Sequence, residues 1–188
     1  TPLAKDALAA TGIVLASALP SRETTAHTAH GIQPQQSGRK DLDRVAVGVV
    51  PSGASLESIL FATLRRSNRI PLRVPTSRRE AAHLARQVAG AVSGGQAAWG
   101  VIIDESGIVG AAVANRVTGV IAALCNDETT ARRARGQVGA NVLCVAADIV
   151  AGPLFERILS AWIETPAQCD EDTANVIREL DRCQESAR

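Results

Sequence analysis

The sequence predicts an α/β fold in which helices cover both faces of a parallel sheet, and three observations carry that reading. Short runs of branched apolar residues recur without polar alternation, as in strands buried on both faces. They are Val45-Ala46-Val47-Gly48-Val49-Val50, Ile70 to Val74, Val101-Ile102-Ile103, Val120 to Cys125 and Asn141 to Ala146. Amphipathic stretches of helical period separate them, and strands alternating with helices over this length imply right-handed crossovers in one sheet. Polar turns punctuate the joins, Pro51-Ser52-Gly53 and Ser106-Gly107 above all.

Composition sets the limits on function. At 188 residues the chain suits one domain of ordinary size with an appendage. The 20 Lys and Arg against 19 Asp and Glu leave no net field to recruit nucleic acid or an anionic membrane, so neither partner is expected. With 2 Phe, 2 Trp and no Tyr, the core must come from Val, Ile, Leu and Ala, and base stacking is disfavoured. Cys125, Cys144, Cys169 and Cys183 show no metal-type spacing. Cys125 and Cys144 sit in strand-like runs, where a reduced, buried thiol is expected. His27 and His30 have no third ligand nearby, so no metal is expected, and no cofactor either. No signal peptide or membrane-length apolar run is visible, which points to a cytoplasmic protein. The first residue is Thr1 rather than Met, which leaves an upstream segment open.

In chain order, Thr1 as N-cap, Pro2 at the first helical position and Gly12 beyond the far end outline a short helix within residues 1–16. Leu3, Ala7 and Leu8 give it one apolar stripe, and it is too short to be stable undocked. Residues 17–43 are rich in Ser, Thr, Gln, Pro, Gly and His and read as a linker. The compact domain spans residues 44–188. Its helices are Leu56 to Arg66, a stretch capped by Ser77 and Glu80 that runs to Val92, Ile108 to about Asn115, Asp127 to Arg135, Leu154 to Ile163 and Thr173 to Cys183. His83 lies among alanines at helical spacing and reads as a boundary residue. Ile108 to Ala114 is apolar all round, which calls for burial against a second subunit as well as the sheet. The third strand stops at Asp104-Glu105-Ser106-Gly107 and runs straight into that helix. Such a turn exposes backbone N–H groups where ligands bind in open α/β sheets.

From Arg44 to about Ile163 the chain resembles the type B ribose-5-phosphate isomerase and galactose-6-phosphate isomerase family. The resemblance rests on Ala114-Asn115-Arg116-Val117-Thr118-Gly119, on Ala123-Leu124-Cys125-Asn126-Asp127, on Ala134-Arg135 and on Ala140-Asn141-Val142-Leu143. It implies a flavodoxin-like, Rossmann-like sheet of strand order 2-1-3-4-5, a homodimer or homotetramer, and active sites built at the subunit interface. It also implies a sugar or sugar phosphate as the small-molecule partner. The switch point between the first and third strands would bring Pro51, Ser52 and Gly53 beside Asp104, Glu105, Ser106 and Gly107.

Aldose–ketose isomerisation of a pentose or hexose moves a proton through an enediolate. It needs a base, oxyanion donors, an acid for ring opening and cations for a phosphate. The resemblance places an Asp-His pair after the first strand, where this chain has Val50 and Pro51. Asp104 stands at the position of the base, with Ser106 and Gly107 at the oxyanion loop. Gln137 stands at the ring-opening His, and Glu171 and Asn175 fall about where phosphate-binding arginines belong. Asn115, Asn126 and Arg135 remain as substrate-binding candidates.

Two readings stay open. In one, Asp104 is the catalytic base, with Ser106, Gly107 and Gln137 in the altered site. Against this, the helix dipole favours the charged form of a carboxylate at its N-terminus, which weakens it as a base, and Glu105 adds a repelling charge. In the other, the chain is a non-catalytic homologue serving binding or assembly. The pattern over residues 1–16 resembles short helices of bacterial microcompartment-associated proteins. That implies a docking segment for a shell or cargo partner, and a place in the cytoplasm or a microcompartment lumen.

Overall fold

The computed structural model describes residues 43–74 and 80–186. The helix expected over residues 1–16, the linker up to residue 42, and Ser77 all lie outside them. The strands are β1 (Arg44–Val49), β2 (Ile70–Arg73), β3 (Trp99–Asp104), β4 (Ala122–Leu124) and β5 (Val142–Ala146). The helices are α1 (Ala54–Arg66), α2 (Ala81–Ser93), α3 (Ile108–Ala114), α4 (Glu128–Val138), α5 (Gly152–Glu164) and α6 (Glu171–Ser186). A single 3-10 turn, Pro51–Gly53, joins β1 to α1.

All strand pairs are parallel, and the order across the sheet is β2-β1-β3-β5-β4. The expected fold class stands, while the last two strands are exchanged relative to 2-1-3-4-5. Burial explains the exchange. Every residue of β5 is buried, which suits a central strand, whereas Ala122–Leu124 are only half-buried and suit an edge. The strand expected over Val120 to Cys125 shrinks to three residues because its start is drawn into a turn. There the Val120 N–H donates to the Val117 carbonyl, and the Ile121 N–H to Asn141 Oδ1.

Two apolar layers sandwich the sheet, and alternate residues of β1, β3 and β5 feed them. Val45, Val47, Val101, Ile103, Leu143 and Val145 point to one side, where Leu60, Leu64, Phe155 and Trp162 of α1 and α5 cover them. Ala46, Ile102, Val142 and Cys144 point to the other, beneath Leu84, Val88 and Val92 of α2 and Ala114 of α3. Glycine lets α2 approach closely. A Cβ at Gly100 would lie 2.5 Å from Val88 Cγ1, and one at Gly48 2.9 Å from Val88 Cγ2.

Helix α4 starts at an Asp127 cap, whose Oδ1 accepts the Thr130 N–H at 2.8 Å. That bond holds the Asp127 carboxyl below the usual carboxylate range. Of the capping box expected at Ser77 and Glu80, only Glu80 lies among the described residues. Helix α2 begins one residue after Glu80, which is therefore the N-cap itself and makes no side-chain cap bond. His83 is half-buried, as expected of a boundary residue. Cys125 and Cys144 are free and buried, and burial pushes the Cys125 thiol up to about 11. Among the described residues no helix is long and apolar enough to cross a membrane.

The packing at Gly100 gives a stability prediction. Gly100→Ala should destabilise the domain by about 1–3 kcal/mol through overpacking, read as a lower urea midpoint. Adding Val88→Ala should recover part of that loss, because it removes the methyl group that the new Cβ meets.

Candidate active site

The C-terminal edge of the sheet is where most of the sequence-selected residues meet. The Val50 N–H donates to the Ile103 carbonyl at 3.0 Å, which ties the Pro51–Gly53 turn to the end of β3. A Cβ at Gly53 would lie 2.6 Å from Ile103 Cγ2, so only glycine allows the turn to lie this close. Pro51, Ser52 and Glu105 are exposed, Ser106 is half-buried, and Gly107 is buried. The Ala147 N–H donates to the Asp104 carbonyl at 2.8 Å and the Asp148 N–H to the Glu105 carbonyl at 3.0 Å. The loop after β5 therefore forms part of the same edge.

Asp104 is 1% exposed. Its Oδ1 accepts the Ser106 N–H at 3.0 Å and the Gly107 N–H at 2.5 Å, and its Oδ2 accepts the Gly110 N–H at 2.7 Å. Gly107 has φ +70°, the left-handed conformation that turns its N–H inward, and Gly110 has no Cβ to block the approach. The carboxylate thus occupies the start of α3 as an internal anion, satisfying donors that a helix N-terminus otherwise leaves free. The amides of Ser106 and Gly107, read from the sequence as oxyanion donors, point at Asp104. The Ser106 hydroxyl accepts the Ile108 N–H at 3.2 Å.

Asn126 follows β4 at the same edge, half-buried, with a buried Oδ1 that accepts no hydrogen bond. The other three candidates belong to the opposite end of the sheet. Asn115 bonds through Oδ1 and Nδ2 to the N–H and carbonyl of Ala122, each at 2.8 Å, and covers the free edge of β4. Arg135 donates to the Ala140 carbonyl at 2.7 Å and lies 5.1 Å from the Trp162 ring centroid. Burial, then the nearby Arg69 charge, lowers its guanidinium pKa. Gln137 is exposed near the end of α4, and its carbonyl accepts the Asp170 N–H at 3.2 Å. Because α4 leads into the start of β5, Gln137 and Asp104 are separated by the length of the strands within one chain.

A cavity of about 250 Å³ sits over the C-terminal ends of β1 and β2, lined by Val47 to Pro51, Ala54, Glu57, Arg73, Val74 and Leu84. Sequence reasoning selects Pro51 here but misses Glu57 and Arg73, which form an ion pair of 2.5 Å. The register of β2 on β1 is what brings Arg73 to α1, and nothing local in the sequence signals it. Among the described residues no cluster of three or more His, Cys, Asp or Glu could hold a metal ion.

These features define a doubly wound α/β protein whose cleft lies at the carboxyl ends of its strands. The sequence profile described as Ribose/Galactose Isomerase matches residues 45–180, and the chain belongs to that family. It is 33% identical over 81 residues to the D-erythrulose-4-phosphate isomerase of Pectobacterium atrosepticum, covering 43% of this chain and 53% of that protein. It is likewise 33% identical over 81 residues to the ribose-5-phosphate isomerase B of Escherichia coli, covering 43% and 54%. The chain thus spans about half the length of these relatives. The type B ribose 5-phosphate isomerase structures from Trypanosoma cruzi and Trypanosoma brucei superpose with TM-scores of 0.71 and 0.70, at 26% and 25% identity. The matches cover 78% and 76% of this chain and 99% of each of those chains.

The three amide bonds set a testable stability requirement. Asp104→Ala leaves those donors without their acceptor and should cost about 3 kcal/mol or more in urea unfolding. Glu105→Ala, an exposed neighbour, should stay within about 0.5 kcal/mol of the parent. An Asp104→Ala protein as stable as the parent would contradict the arrangement.

Proposed function

We propose that this chain is a sugar-phosphate isomerase-family protein with a heavily altered active site, acting as a non-catalytic binding or assembly subunit. The observation that carries this reading is the buried Asp104 carboxylate with three backbone N–H partners. A general base must reach a substrate proton with a free lone pair, and an oxyanion hole needs unoccupied donors. Here the carboxylate and the amides satisfy each other. Val50 and Pro51 offer no acid–base group at the end of β1, and Gln137 lies at the opposite end of the sheet within the same chain. The cleft at the switch point still suits a small sugar or sugar phosphate.

A second reading draws support from the placement of Asp104 at the end of β3. In it, Asp104 is the base for aldose–ketose isomerisation of a phosphorylated or free pentose or hexose through an enediolate. Ser106 and Gly107 then supply donors after the β3–α3 turn rearranges, and a neighbouring copy supplies Gln137. Both readings include a homodimer or homotetramer. Ile108 and Val109 of α3 are 61% and 41% exposed in the single chain and offer apolar surface for a second copy. The docking role of residues 1–16, toward a microcompartment shell or cargo, and a cytoplasmic or lumenal setting belong to the same proposal.

Isomerase assays over phosphorylated and free tetroses, pentoses and hexoses separate the two. The non-catalytic reading expects a folded parent that turns over none of them. Turnover by the parent, lowered about 100-fold or more in Asp104→Asn, would establish the second reading instead. Light scattering should report a dimer or larger at micromolar concentration, and Ile108→Glu should shift it toward monomer.

A further inference from the structure

The cavity over β1 and β2 has apolar walls from Val47, Val49, Val50, Val74 and Leu84, and two charged lining groups, Glu57 and Arg73. They are bonded to each other at 2.5 Å. The Arg73 guanidinium also lies 4.8 Å from the Phe61 ring centroid, which helps to fix its position. Glu57 is the more recessed partner, its side chain 26% exposed against 64% for Arg73. A group drawn into the cavity by Arg73 therefore meets the Glu57 carboxylate.

Resting on the reading that the cleft binds a sugar, we propose that this cavity takes an unphosphorylated sugar or polyol, and that Glu57 sets that preference. A hydroxyl both donates and accepts, so it can bond to the free lone pairs of Glu57 and the free N–H groups of Arg73 without breaking their pair. The phosphate group of an ester brings about two negative charges at neutral pH and, once fully ionised, no donor to satisfy Glu57. It must take Arg73 from Glu57 and leave that carboxylate facing a like charge, an arrangement that discriminates by repulsion.

Calorimetric titration of the full chain with ribose, ribulose, erythrulose and ribitol, and with the phosphate esters of the three sugars, tests this. The parent should bind at least one free sugar or polyol about tenfold or more tighter than any of the esters. Glu57→Gln should shift the ratio toward the esters by about tenfold, a change of 1.4 kcal/mol. Arg73→Gln should weaken free-sugar binding without improving ester binding, and the parent comparison stands even where a variant folds poorly. Tighter binding of an ester by the parent, binding of none of these ligands, or a folded Glu57→Gln protein with an unchanged ratio would each overturn the proposal. The binding ratio is independent of turnover, so catalysis in the isomerase assay would refute the non-catalytic reading and leave this one standing.

Discussion

The contact on which the site depends is the carboxylate of Asp104 accepting the N–H groups of Ser106, Gly107 and Gly110. Helix α3 is only seven residues long, too short to stand on its own hydrogen bonds. The amides of Gly107, just before it, and of Gly110, in its first turn, are buried at the end of a fully buried strand. Asp104 supplies the missing acceptor from inside the sheet. The fit needs a left-handed Gly107 and a side chain no larger than hydrogen at Gly110, where a Cβ would lie 2.6 Å from Asp104 Oδ2. Anchoring α3 in this way places Ile108 and Val109 outward at the rim of the cleft, where they form apolar surface.

The same contact occupies backbone amides at the start of α3. An internal anion at a helix start replaces the external anion that such a turn often binds. The chain keeps the strand ends, the close turn at Gly53 and the crevice between neighbouring loops. The edge also carries the exposed Glu105 and Asp148, and Arg73 in the adjoining cavity is paired with Glu57. Among the described residues, this cleft is poor in unpaired positive charge.

How much of this was legible in sequence follows from the range of the interactions. Strands buried on both faces announce themselves locally, so Arg44–Val49, Trp99–Asp104 and Val142–Ala146 could be read to within a few residues. The exchange of β4 and β5 could not, because it turns on how much of Ala122–Leu124 remains exposed after packing. Asp104 was legible as the ionisable residue at a strand end. Its saturation by amides was not, since that depends on the φ of Gly107 and on the approach of Gly110. Asn115 and Arg135 looked like site residues because they lie in family motifs. In the fold one seals the β4 edge and the other braces Trp162. The Glu57–Arg73 pair joins a helix to a strand edge and leaves no local pattern at all.

Native-state hydrogen exchange at Gly107 and Gly110, followed by NMR, tests the central claim most directly. If Asp104 caps α3 from within the sheet, both amides should exchange orders of magnitude more slowly than unstructured glycine and close to the rate set by global unfolding. That protection should collapse in Asp104→Ala while the β1 and β5 amides stay protected. Amides at Gly107 and Gly110 that exchange at near-unstructured rates in the parent would show donors free to face a ligand, and would contradict the account.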